Sequence, residues 1–239
     1  MQRVRNLFRA AFEPSATSVN GAASRVDLRD VTSTYTQIDL APLDVLKTAP
    51  VWMAPSEKLL LYALIYAIRP ERYLEIGSWE GGSALTVVAA MDAAKTRGVV
   101  ICVDPKPNFA EGLVKQIRHR AKIITAYSPD ALPEAQRAAD GVFDFVLIDG
   151  DHSYLGALSD ARGVMRHITD DAWILVHDSH NPIVTRAIDD FVGEYGGRVI
   201  DLGHLTREFI QQPLDGQPSA RWFGFRLLKA QLGARQKVI

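Results

Sequence analysis

The chain has one cysteine, Cys102, among 239 residues, which excludes an internal disulfide and any zinc site built from paired thiolates. Its neighbours Ile101 and Val103 are apolar, as expected around a buried, reduced thiol. Long hydrophobic runs are also missing. The longest, 59–68, is bracketed by Lys58 and Arg69 and stops far short of the roughly 20 residues that span a bilayer. Neither sign of charge is in excess: 27 Lys and Arg stand against 28 Asp and Glu, for a formal charge of -1. There is therefore no global field to draw in a phosphate backbone or an anionic lipid surface. The basic start MQRVRNLFRAAFEP lacks the continuous apolar core of a secretory signal. The expectation is a cytoplasmic protein with no nucleic-acid partner and no integral membrane segment. Composition leaves a homo-oligomer open.

What is present is organised in two parts. Residues 1–45 combine a short basic stretch with a Ser, Thr and Asn-rich passage and little helical period, and read as an N-terminal extension. The packed domain is expected over 46–239, beginning near Pro50, Pro55 and Ser56, where proline or serine can start a helix. Strands are predicted at 73–76, 99–103, 122–126, 143–148 and 172–176, with helix-length segments between them. These runs are almost continuously apolar, as strands covered on both faces must be, and the alternation is that of βαβ units. After a predicted helix at 182–195, strands at 198–202 and 222–228 follow with no obvious crossover helix between them, so that pair is expected to be antiparallel. The fold class is thus α/β: a Rossmann-like, seven-stranded, mostly parallel sheet with an antiparallel terminal hairpin and helices on both faces.

Four clusters carry the chemistry. The first, from Glu75 through Gly77, Ser78, Trp79 and Gly81 to Ser83, joins a strand to a helix through a glycine-rich turn. A dinucleotide fingerprint would place its second glycine where Trp79 stands, so the loop suits a nucleotide-like ligand that has no pyrophosphate. The second is Asp104, at the end of the next strand, where a carboxylate can accept from ribose hydroxyls or open a turn with Pro105. The third is Asp149-Gly150-Asp151-His152-Ser153-Tyr154 and the fourth His177-Asp178-Ser179-His180. An isolated Asp or His in such a place is ordinarily a turn former. Two such clusters, each following a hydrophobic strand, favour a site where charged neighbours tune a base or hold a metal.

These residues resemble the class I S-adenosylmethionine-dependent methyltransferases, most closely the bacterial small-molecule O-methyltransferases that modify sugars and macrolides. The resemblance covers about 50–228, and Asp149 to Tyr154 is its most specific part. It implies that Glu75, Gly77, Ser78, Gly81 and Ser83 surround the donor's methionine end. It also implies that Asp104 takes the ribose, that Tyr127 and Ser128 lie near adenine, and that Asp149 faces the donor as well. Asp149 and Asp178 fall where metal-dependent relatives carry metal-binding carboxylates, with Mg²⁺ the natural ion. Those relatives continue Asp-Asn at the second site, whereas Ser179 follows Asp178 here, and His180 is the candidate substitute ligand. Where the relatives have a catalytic lysine this chain has His152, a base suited to neutral pH. The implied activity is methyl transfer to a hydroxyl of a small acceptor. The rivals are a metal-free methyltransferase using His152, a nicotinamide oxidoreductase on a similar sheet, and a non-catalytic binding protein on the same fold.

Overall fold

The computed structural model describes residues 40–207 and 223–233. A 3-10 turn at Ala41–Asp44 runs into two helices, α1 (Val45–Thr48) and α2 (Pro55–Ile68). Strands and helices then alternate: β1 (Arg72–Ile76), α3 (Gly82–Ala93), β2 (Val99–Asp104), α4 (Glu111–Ile117), β3 (Ala121–Thr125), α5 (Leu132–Ala139), β4 (Phe143–Ile148), α6 (Tyr154–Val164), β5 (Ile168–Val176) and α7 (Pro182–Glu194). The last two strands, β6 (Val199–His204) and β7 (Arg226–Ala230), have no such helix between them among the described residues.

The seven strands lie in the order β3-β2-β1-β4-β5-β7-β6. Strands β1 to β5 are parallel, and β7 runs antiparallel to both β5 and β6. The expected mostly parallel sheet with an antiparallel end is therefore present. Its strand ends differ in detail. β5 begins at Ile168 rather than 172: Ile168 is already buried in the core, and the exposed Asp170 and Asp171 interrupt the apolar run that marks the strand in the sequence. β7 ends at Ala230 rather than 228, and it starts only after Gly224, whose φ of 116° interrupts extended backbone. Trp222, part of the predicted strand, lies outside the described residues.

Each face of the sheet has its own core. Leu74, Ile101, Val146 and Ile174 pack against α5, α6 and α7, while Tyr73, Val100, Phe145 and Leu175 pack against α2, α3 and α4. Successive positions on one strand thus serve opposite cores, which is why the strands read as unbroken apolar runs. Two helices that follow site loops start on side-chain caps. Ser153 accepts from the Gly156 amide at 3.1 Å ahead of α6, and Asn181 accepts from the Ile183 amide at 2.9 Å ahead of α7.

The strand order reverses between β1 and β4, and open α/β sheets bind ligands in the crevice outside the carboxyl ends of strands at such a point. Here the two strand ends are drawn together. The Asp149 amide donates to the Ile76 carbonyl at 2.8 Å, and the Gly77 amide donates to Val103 on the other side at 2.9 Å. Gly77 has a φ of 83°, and a Cβ on it would lie 2.0 Å from the Asp149 carbonyl oxygen. Glycine is required on both counts. Gly77→Ala should therefore lower the unfolding free energy by roughly 3–5 kcal/mol, read from urea denaturation. Gly112→Ala, at a helical glycine with no atom near the position of a Cβ, should be neutral or slightly stabilising in the same assay.

Candidate functional site

A cavity of about 1050 Å³ opens over this edge of the sheet. It is large enough for a nucleoside-sized ligand together with a second small molecule. Gly77, Ser78, Ser83, Asp104, Tyr127, Ser128, Asp149, His152 and Asp178 all line it. The sequence reading placed these residues after five different strands and the fold brings them to one cavity. Glu75 and Gly81 stand behind the lining. Gly81 lies against the Phe109 ring. Glu75 is wholly buried on β1, accepting from Ser83 Oγ at 2.7 Å and from the Tyr73 hydroxyl at 3.2 Å.

Asp104 does more than the sequence showed. Its Oδ2 accepts from the amides of Ser78 and Trp79, each at 2.8 Å, and its Oδ1 accepts from the Lys106 amide at 2.7 Å. The carboxylate thus ties the glycine-rich loop to the end of β2. It also explains how Trp79 holds a φ of 43°, a left-handed conformation that is costly for a bulky residue unless its surroundings fix it. The Trp79 side chain is exposed at the cavity wall.

Asp149, His152 and Asp178 form one group whose ligating atoms lie within 4.8 Å of one another. His152 Nε2 is 3.4 Å from Asp149 Oδ1 and 3.2 Å from Asp178 Oδ2. Asp178 reaches this position from a left-handed backbone with φ of 50°, a conformation that a short polar side chain tolerates. His180, expected as a third ligand, is not part of the group. Its Nε2 lies 2.9 Å from the Thr206 carbonyl, and its ring stacks on His204 with centroids 4.8 Å apart. His152 takes the place at the carboxylate pair that His180 was expected to fill.

Two residues beneath the pair were given no role in the sequence reading. His177 is buried with Nδ1 2.8 Å from Asp149 Oδ1 and Nε2 3.4 Å from Glu57 Oε2. Glu57 is fully buried at the start of α2, where Oε2 accepts from the Ala54 amide at 2.7 Å and Oε1 accepts from the Gly224 amide. His177 stood in the fourth cluster, directly before Asp178. Glu57 lies 120 positions from its histidine and had no local signal.

The electrostatics follow from this column of groups. Burial alone would raise Asp149, but His177 and His152 outweigh it and hold the carboxyl at about 2. Burial raises Asp178 to about 6 against the opposing pull of His177. Burial disfavours charge on His177, yet Asp149, Glu57 and Asp178 together raise its pKa well above the ordinary value. The contact with Asp149 raises His152 despite partial desolvation. Asp149 is thus firmly ionised, and the two carboxylates favour the protonated form of His152.

The chemistry of the donor set also bears on a metal. Two carboxylates and an imidazole on one cavity wall match the oxygen and nitrogen ligands of divalent ions such as Mg²⁺, Mn²⁺ or Zn²⁺. The set therefore fits a resident cation.

Comparison with known proteins agrees with the architecture. Residues 74–179 match a family model described as a methyltransferase domain. No curated protein matches the chain. Among solved structures, the O-methyltransferase TomG from Streptomyces achromogenes, involved in tomaymycin synthesis and in complex with SAM, is 17% identical, with 88% of this chain and 99% of that one covered and a TM-score of 0.57. Cofactor-bound Rv0187 from MTB is 21% identical over 85% of this chain and 95% of its own, with a TM-score of 0.55. An O-methyltransferase from Bacillus cereus in complex with SAH is 16% identical over 84% and 96%, with a TM-score of 0.54. At these identities the structural likeness is one of fold.

Glu75 gives the site a measurable pH signature. Burial raises its carboxyl to about 7 from 4.5, against the hydrogen bond from Ser83. A carboxyl that protonates more easily folded than unfolded contributes its stability fully below the unfolded pKa, and loses it as pH rises through the folded one. Glu75→Gln, neutral at every pH, should remove that loss. Relative to the parent chain, the variant should gain stability between pH 5 and pH 8, on the order of 3 kcal/mol, measured by urea denaturation at both values.

Proposed function

We propose that this chain, whose residues 74–179 match a methyltransferase domain, is a class I S-adenosylmethionine-dependent enzyme that methylates a hydroxyl oxygen of a small molecule with the help of a divalent cation. The observation that carries the reading is the Asp149, His152 and Asp178 group, set in the same cavity wall as the glycine-rich loop and Asp104. S-adenosylmethionine, when bound, supplies an electrophilic methyl group on a sulfonium.

Ser78, Ser83 and the backbone of Gly77 cradle the methionine end of the donor, with Glu75 holding Ser83 in place from behind and Gly81 turning the loop into α3. Asp104 already accepts three amides, and its Oδ1, which accepts only one of them, retains a lone pair for a ribose hydroxyl. Tyr127 and Ser128 continue the cavity toward the base. A divalent cation held by Asp149 and Asp178 would make an acceptor hydroxyl more acidic and, by compensating both carboxylates, would leave His152 neutral. His152 then takes the acceptor's proton. Alignment of acceptor oxygen and methyl group falls to the cavity walls, which Pro50, Val51 and Trp52 close on one side and Phe223 on another.

Methyl transfer from S-adenosylmethionine to hydroxylated acceptors, followed by mass spectrometry, tests the reading. Turnover should fall in excess chelator and return with Mg²⁺ or Mn²⁺. Full turnover in chelator would replace it by a metal-free mechanism resting on His152 alone. His152→Ala should lower turnover about 10²- to 10⁴-fold with little change in the affinity for S-adenosylhomocysteine. Rescue of that variant by a higher metal concentration would make His152 a ligand and not the base.

A further inference from the structure

The near-zero net charge of the chain conceals one strongly one-sided patch. A second cavity, of about 400 Å³, opens where the loop between α3 and β2 meets the turn between α4 and β3. Both segments lead into the amino ends of neighbouring parallel strands, β2 and β3, whereas the large cavity lies beyond the carboxyl ends. The length of β2, Val99 to Asp104, separates the two by roughly 16 Å. The walls of the small cavity carry Arg97, Arg118, His119, Arg120 and Lys122 and, among the described residues, no carboxylate.

Arg120 is what builds this pocket. Its side chain is only 14% exposed. The guanidinium donates through Nε to Asp92 at 2.5 Å, through Nη1 to the Gly98 carbonyl at 3.0 Å and through Nη2 to the Thr96 carbonyl at 2.8 Å. These bonds pin one loop to the other and leave two of the five guanidinium N–H groups for a further partner. His119 Nε2 lies 3.0 Å from the same Asp92, and Lys122 Nζ donates to the Ala138 carbonyl at 2.6 Å. Arg97 and Arg118 differ from these. Both are exposed, and among the described residues neither side chain has a hydrogen bond or an ion pair. Like charges held on one wall repel one another until an anion compensates them.

The amount of charge indicates the anion. Set against Asp92, the four permanent cations leave a surplus of three positive charges. A single phosphate group, at about −1.5 to −2 near pH 7, leaves part of that surplus standing. Two linked phosphates remove it. The planar fork of arginine matches phosphate oxygens two at a time, and each of the two loops supplies one uncommitted arginine. We infer that this pocket binds the diphosphate group of a small molecule. Arg97 and Arg118 each take one phosphate, and the remaining N–H groups of Arg120 meet the anion from the floor. The site is separate from the large cavity and does not depend on the methyl-transfer reading.

Calorimetric titration of inorganic pyrophosphate and of orthophosphate into the metal-free full chain tests it. Pyrophosphate should bind at least about tenfold more tightly, with an affinity that falls as salt is raised. Arg97→Gln and Arg118→Gln should each weaken pyrophosphate about three- to tenfold at an unchanged melting temperature. Arg97→Lys and Arg118→Lys, which keep the charge and lose the fork, should recover only part of that loss. Arg166→Gln, which removes an exposed charge just after α6, should leave binding as it is. Uridine diphosphate separates the two sources of the group: binding as tight as that of pyrophosphate assigns an esterified ligand, and much weaker binding assigns pyrophosphate itself. Equally weak binding of pyrophosphate and orthophosphate, or binding that Arg97→Gln and Arg118→Gln leave unchanged, would mean an adventitious ion only and would overturn the inference. An equal loss in Arg166→Gln would overturn it as well, by reducing the effect to net charge.

Discussion

The hydrogen bond from the Asp149 amide to the Ile76 carbonyl is the point from which the site is laid out. It fixes the ends of β1 and β4 where the strand order reverses, and it is made at a separation no side chain on Gly77 would allow. With that contact set, the glycine-rich loop leaves from one strand and the Asp149 to His152 turn from the other. Pairing of Ile148 with Val176 then brings His177 and Asp178 alongside. A sub-ångström shift at this seam would move the loop, the carboxylate pair and His152 relative to one another, because all hang from the same two strand ends.

The column of ionisable groups under the cavity shows how a low-dielectric interior can hold charge. Glu57, His177 and Asp149 alternate in sign, and each is bonded to the next or to backbone amides. Removing one member would leave its neighbour buried and uncompensated, which costs far more than the pair contributes when intact. The column also faces Asp149 toward the cavity with one of its oxygens already engaged from below, so its orientation is settled before any ligand enters.

Much of this was legible in the sequence for a definite reason. Parallel strands covered on both faces must be apolar along their length, and the polar clusters directly after them must then fall on one edge. The fold class and the gathering of Asp104, Asp149, His152 and Asp178 followed from that. The illegible parts depended on contacts between segments far apart in the chain. Nothing near Glu57 announces that it will meet His177. His180 has the right identity and neighbourhood for a ligand, but the Thr206 carbonyl and the His204 ring hold it elsewhere. Asp104 was read for its charge, while its three amide contacts depend on where the loop turns.

The place of β7 has a consequence for the order in which the molecule can be completed. Among the described residues it is the last strand in the sequence, yet it lies between β5 and β6, and β6 joins the sheet only through it. Until it is in place, β5 offers an unpaired edge to other chains, and the Glu57 carboxylate lacks the Gly224 amide that binds it just ahead of that strand. Completion of the sheet and the second amide contact to Glu57 therefore depend on the same segment. Without β7, β6 would have no place in the sheet either, and the site would lack the amide that meets Glu57 from across the fold.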